Sequence, residues 1–134
     1  MKKNFNWPVR VYYEDTDAGG VVFYANYLKF YERARTEMLR DMGFEQDQLI
    51  AEHAVIFVVR SVQVDYLQPA KFNDLINVTA GLSLVRSASL TFEQTITRAD
   101  DRLSTATIRI ACLDAATMRP KLIPDFLKQA LNNE

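Results

Sequence analysis

The chain has 134 residues, 49% of them hydrophobic, and a formal net charge of −1. That length suits a single domain over residues 1–134, which buries roughly two-thirds of its unfolded surface without staples. The balanced charge argues against nucleic acid as a main partner, because phosphate binding leaves a strong basic excess.

One cysteine, Cys112, rules out an internal disulfide and fits a reducing compartment. It lies in the apolar run Ile108 to Leu113 and reads as a buried thiol in a strand. The opening MKKNFNWPVR has two lysines but no apolar stretch behind them, so it is not read as a signal peptide. No apolar run is long enough to cross a bilayer. The expectation is a cytoplasmic protein.

In chain order, Trp7 to Glu14 predicts a first strand with Pro8 at its entry. Tyr24, Tyr27, Leu28, Tyr31, Ala34, Met38 and Met42 then recur at steps of three or four. This predicts one face of a helix from about Tyr24 to Met42, with Gly43 as its C-cap. Glu32–Arg35 and Glu37–Arg40 are spaced to pair across one turn of it. Gln46 to His53 suggests a short second helix. Ala54 to Tyr66, Leu75 to Val85, Ser87 to Arg98 and Arg102 to Asp114 read as four further strands. Leu90, Phe92, Gln94 and Ile96 alternate with polar Thr91, Glu93, Thr95 and Thr97, the pattern of a sheet with one wet face. Pro120 and Pro124 break the pattern, and Asp125 to Leu131 suggests a terminal helical turn. The plan is α+β: about five antiparallel strands curling around one long hydrophobic helix.

The segment Val11 to Tyr27, VYYEDTDAGGVVFYANY, carries the chemistry. A β-rich run ends in three acids, Glu14, Asp15 and Asp17. Gly19 and Gly20 follow, and then the helix. That order puts a carboxylate beside unpaired N–H groups at a helix N-terminus. A carboxylate takes a proton or attacks a carbonyl, and free N–H groups hold the resulting oxyanion. If the turn is extended, Asp15 and Asp17 point the same way, and like charge with burial raises the pKa of one of them. An ordinary surface turn explains the same residues, since Asp and Gly favour turns and acids favour helix starts. The spacing lacks two oxygen ligands of a calcium loop, at Gly19 and Asn26, and fits no glycine-rich nucleotide motif. His53, the sole histidine, reads as solvated. No His or Cys cluster suggests a transition metal. Arg86 and Ser87, between two strands, suit a phosphate, though a solvated turn explains them equally well.

The run Tyr12-Tyr13-Glu14-Asp15-Thr16-Asp17-Ala18-Gly19-Gly20-Val21-Val22, with Tyr27 and Phe30-Tyr31-Glu32-Arg33-Ala34-Arg35-Thr36-Glu37, resembles the 4-hydroxybenzoyl-CoA thioesterase family. Within it the chain is similar to the Tol–Pal-associated acyl-CoA thioesterases (YbgC type). Phe57-Val58-Val59, Val64-Asp65-Tyr66, Pro69-Ala70, Asp74 and Met118-Arg119-Pro120 support the likeness over nearly the whole chain.

The resemblance implies a hotdog fold, an antiparallel sheet around one long central helix. It also implies a homodimer or homotetramer with sites at the subunit interface, and no cofactor. By position, Asp17 matches the catalytic aspartate. Asp15 is its neighbour, not the expected catalyst. Tyr24 stands where the family uses a backbone N–H to polarise the thioester carbonyl. Tyr13 matches a site-lining tyrosine, and Gly20, Val22, Arg86 and Ser87 join the expected substrate contacts. Phe23-Tyr24 replaces the Tyr-His usual in the Tol–Pal type and is nearer the 4-hydroxybenzoyl-CoA enzymes. This removes an imidazole helper, but a backbone donor is indifferent to it. The implied activity is hydrolysis of a short- or medium-chain, or aromatic, acyl-CoA. The thiol carrier is left open between coenzyme A and acyl carrier protein. The rival reading is an acyl-binding module of envelope or phospholipid metabolism with little catalysis.

Overall fold

The computed structural model describes residues 5–133. The leading lysines used in the signal-peptide argument lie outside them. In chain order the elements are β1 (Phe5–Arg10), a 3-10 turn (Tyr13–Asp15), α1 (Asn26–Asp41), α2 (Gln46–His53), β2 (Val55–Tyr66), β3 (Leu75–Val85), β4 (Ser89–Arg98), β5 (Asp101–Asp114) and α3 (Asp125–Asn133). The five strands form one antiparallel sheet in the order β1-β3-β4-β5-β2.

The helical periodicity of α1 becomes its buried face. Tyr27, Phe30, Tyr31, Ala34 and Met38 join one core with Ile76, Val78, Phe92, Ile96 and Ile108 of the sheet. Each large apolar side chain there contributes about 1.5–3 kcal/mol of burial. Tyr31 and Gln94 on this face are paired. Tyr31 Oη donates to Ser104 Oγ at 2.7 Å, and Gln94 Nε2 donates to the Tyr31 carbonyl at 3.1 Å. Gly43, at φ +95°, ends α1 as expected, with the Phe44 N–H returning to the Leu39 carbonyl at 2.9 Å.

Four expectations need correction. β1 ends at Arg10, not Glu14. The Val11 N–H leaves the sheet for the Asp74 carbonyl, and Tyr12 then opens the 3-10 turn. Pro8 lies within β1 opposite Asn77, a position open to proline because β1 is an edge strand. α1 begins two residues after Tyr24, because the preceding backbone is tied into the acidic turn. Arg35 does not pair with Glu32; it turns inward to Gln94, while Arg40 does pair with Glu37. Among the described residues α1 is the longest of three α-helices, with 16 residues.

Candidate active site

The acidic turn folds as a small hairpin. The Asp17 N–H donates to the Val21 carbonyl at 2.9 Å, and the Gly20 N–H to the Asp17 carbonyl at 3.0 Å. Thr16 and Val22 bridge across its base. Gly20 takes φ +80°, the left-handed residue that follows a tight turn in a three-residue hairpin. The Asp17 side chain closes the turn on itself, Oδ1 accepting the Gly19 N–H at 2.8 Å. A Cβ on Gly19 would sit 3.3 Å from that oxygen, so glycine lets the carboxylate lie close. Asp17 itself is exposed at the hairpin tip.

Asp15 has a different task. It is buried, and its Oδ2 accepts the Tyr12 N–H at 2.8 Å. Its carbonyl accepts the Phe23 N–H at 3.1 Å and Asn26 Nδ2 at 2.9 Å. Those bonds lock the hairpin to the start of α1. The turn is therefore not extended, and the two aspartates do not share one face: one is a strut and the other meets solvent. The turn chemistry accounts for the spacing, and the tie to α1 is what the sequence did not reveal.

At the helix start, the N–H groups of Asn26, Tyr27 and Leu28 return to the carbonyls of Phe23, Tyr24 and Ala25. Those of Tyr24 and Ala25 donate to no backbone carbonyl among the described residues. They are the unpaired donors that a helix N-terminus presents.

An open cleft of about 270 Å³ lies beside them, lined by Val22, Tyr24, Tyr27, Tyr66, Leu67 and the Gln68-Pro69 backbone turn. Tyr66 packs edge-on against Tyr27 and Tyr24, with ring centroids at 5.0 and 6.2 Å, and donates its hydroxyl to the Tyr24 carbonyl at 3.1 Å. Burial, with Tyr27 and Tyr24 nearby, pushes the Tyr66 hydroxyl above its usual range, so it stays a neutral donor near pH 7. Tyr27 Oη accepts the Ala70 N–H at 2.9 Å, fixing the cleft floor. The loop between β2 and β3 is sewn to the hairpin by the Val22 N–H to Ala70 carbonyl bond at 2.8 Å and by Tyr13, edge-on to Phe72 at 5.8 Å.

Tyr13, Asp17, Gly20, Val22 and Tyr24 thus gather on one hairpin-and-loop unit. Arg86 and Ser87 do not join them. β1 pairs its Arg10 end with Leu75, next to that unit, whereas Arg86 follows Val85 at the other end of β3. Ten strand steps separate the two ends, about 33 Å at 3.3 Å per residue. Tyr27, Tyr66 and Leu67 are site residues for which sequence reasoning assigned no role, though Val64-Asp65-Tyr66 and Pro69-Ala70 stood out as motifs. The His53 ring packs at a tilt against Phe126, with centroids 4.7 Å apart, and has no place in the site. Cys112 is buried, which pushes its thiol up, and it is structural.

A family model described as the thioesterase-like superfamily matches residues 11–131. The chain belongs to the thioesterase-like superfamily. Among its relatives in that superfamily is the acyl-CoA thioesterase YbgC of Haemophilus influenzae, 46% identical over 133 residues that cover 99% of this chain and 98% of that one. The acyl-CoA thioester hydrolase YbgC of Escherichia coli O157:H7 is 49% identical over 121 residues, 90% of each chain. A probable thioesterase from Bartonella henselae superposes with a TM-score of 0.87 at 34% identity, over 91% of this chain and all of that one. The resemblance to YbgC-type thioesterases, drawn from the acidic-turn motif, is borne out, and so is the α+β thioesterase fold.

Proposed function

We propose that this chain hydrolyses acyl-CoA thioesters to a free acid and coenzyme A, with the acyl group seated in the Tyr24–Tyr66 cleft. The thioester carbonyl docks at the first turn of α1, where the Tyr24 and Ala25 N–H groups face no backbone acceptor. Asp17 either takes a proton from the attacking water or attacks the carbonyl carbon to give a mixed anhydride that water then opens. In both routes the C–S bond breaks: in the first, Asp17 passes the proton taken from water to the departing thiolate; in the second, the thiolate leaves as the anhydride forms and takes its proton from the water that then opens the anhydride and frees the Asp17 carboxylate. An oxyanion donor of this kind is worth about 3–4 kcal/mol in the barrier, and a general base about 10²–10⁴-fold in rate.

One observation carries this reading. Asp15 ties hairpin and helix together through Phe23 and Asn26, so the exposed Asp17 carboxylate and the unpaired helix N–H groups ride on one rigid unit. A surface turn alone requires no such tie.

The functional unit is a homodimer formed along β2. That strand is an edge of the sheet, and Val59 to Gln63 are exposed in succession, so neither face is covered along that stretch. An uncovered edge of 12 residues invites pairing with another strand. Antiparallel pairing of two β2 edges sets opposite ends of the two sheets side by side. That brings the partner's Arg86 end toward this chain's hairpin, where the basic and hydroxyl groups suit a phosphate of the thiol carrier.

The test is thiol release from a panel of straight-chain and aromatic acyl-CoAs, with wild type and D17N. The reading expects turnover by wild type and loss of nearly all of it in D17N. Saturable acyl-CoA binding without thiol release by wild type would replace the hydrolase with a binding module.

A further inference from the structure

The inward face of α1 carries one charge. Arg35 has 8% of its surface exposed. Its Nη1 donates to Gln94 Oε1 at 3.0 Å. Gln94 is itself fixed, because its Nε2 donates to the carbonyls of Tyr31 at 3.1 Å and Thr79 at 3.0 Å. A guanidinium has five N–H donors. Among the described residues it makes no other side-chain bond and has no carboxylate within ion-pair distance. Burial lowers its pKa to about 10, against the pull of Glu32, so it stays charged near pH 7. A buried charge without a counter-charge is costly, and a binding site is one reason to keep it.

A cavity of about 180 Å³ opens beside this group. Arg35, Thr36 and Gln46 make its polar end, with Glu32 beside them, and the other walls are apolar, with Phe57, Leu90, Phe92 and Ile110 among them. Apolar cavities of about 150 Å³ accept a ligand the size of benzene. The cavity shares no lining residue with the Tyr24–Tyr66 cleft. Arg35 lies nine residues beyond Asn26, about 13 Å along the helix at 1.5 Å per residue.

We propose that this cavity binds a short-chain carboxylate, its head paired to the Arg35 guanidinium and its alkyl chain against Phe57, Phe92 and Ile110. A planar fork of donors suits a carboxylate better than it suits a spherical anion. Glu32 is the acid at the cavity, and it opposes the ligand by competing for the same guanidinium. Naming the ligand as the class of acid that the enzyme releases rests on the hydrolase reading; the binding itself does not.

The experiment is a titration of ¹⁵N-labelled wild-type protein with sodium butyrate, following the Arg35 Nε–Hε resonance. Butyramide and sodium chloride at matched concentration serve as controls. Calorimetry on wild type, R35K and E32Q accompanies it. The expected result is a saturating Arg35 shift with butyrate and none with butyramide. R35K should weaken binding at least about tenfold, because an ammonium lacks the fork, and E32Q should tighten it several-fold. No saturating shift, an equal response to chloride (an adventitious ion only), or unchanged affinity in R35K each overturns the site. If R35K does not fold, the wild-type titration decides alone. Thiol release on the same samples separates the two claims. Hydrolysis without butyrate binding removes only the carboxylate site, and butyrate binding without hydrolysis of any acyl-CoA removes only the hydrolase assignment.

Discussion

Two aspartates two residues apart should fail in opposite ways. In D17N the new amide oxygen can still accept the Gly19 N–H, and the side chain is exposed, so folding stability should move by less than about 0.5 kcal/mol. The carboxylate's role as base or nucleophile is lost, which costs about 10²–10⁴ in turnover, or about 3–5 kcal/mol in the barrier. In D15A the fold is what suffers. The Tyr12 N–H loses its side-chain acceptor in a part-buried place, at a cost of about 1–3 kcal/mol. The carbonyl of residue 15 still receives Phe23 and Asn26, so the folded fraction of D15A should keep most of its turnover. Urea unfolding followed by circular dichroism gives the stabilities. Thiol release under saturating acyl-CoA gives turnover, corrected for the folded fraction. D17N activity within tenfold of wild type would refute the assignment of Asp17. A fully folded D15A as inactive as D17N would refute the division between strut and reagent.

Y27F leaves the buried Ala70 N–H without its acceptor; it should cost about 1–3 kcal/mol in urea and raise KM as the cleft floor loosens. Gly20→Ala adds no clash, since nothing lies within 4 Å of the new Cβ, but φ +80° costs about 1–2 kcal/mol for an L residue; a larger loss would place Gly20 against something other than solvent. Desolvation raises the Asp74 carboxyl, but hydrogen bonds from Arg98 (2.7 Å) and the Lys71 N–H (2.8 Å) outweigh it and hold the carboxyl below its usual range. A depressed carboxylate adds stability above its unfolded pKa and loses it as pH falls through the folded one. The stability gap between wild type and R98M should therefore be full at neutral pH and close on acidification below the ordinary carboxylate range. A gap that stays constant down to acid pH would show Arg98 acting by packing alone.

The sheet and α1 were legible because each has a clean period. Alternation over Leu90 to Thr97 gave β4, and steps of three and four gave the buried face of α1. The first strand was overrun because Val11-Tyr12-Tyr13 has strand composition but no strand partner. The β3 ladder stops opposite Arg10, and Val11 turns to Asp74 instead. Tertiary bonding overrode local preference there. In the site, Asp17 and Tyr24 were visible as residue types in order along the chain. Tyr27 and Tyr66 were not, because a tyrosine at helical spacing and another at a strand end each look like core until the loop between β2 and β3 folds beside the helix start. Arg35 was misread for a related reason. The i,i+3 rule pairs it with Glu32 on an isolated helix, but the rule does not know which face is buried.

The replacement of an expected histidine by Tyr24 also fits the observed packing. Its ring is exposed beside Phe23 at 4.8 Å and Tyr66 at 6.2 Å, while its carbonyl holds the Tyr66 hydroxyl. A histidine there would bring a second titrating group to the cleft mouth; the tyrosine brings only aromatic surface. With no histidine in the cleft and Tyr66 held neutral, the proposed machinery holds no group of imidazole type. The pH profile of kcat/KM should therefore show no inflection of imidazole type near neutrality. An inflection at about pH 6.5 that survives His53→Gln would mean that another group, brought by the partner subunit or the substrate, shares the proton transfer.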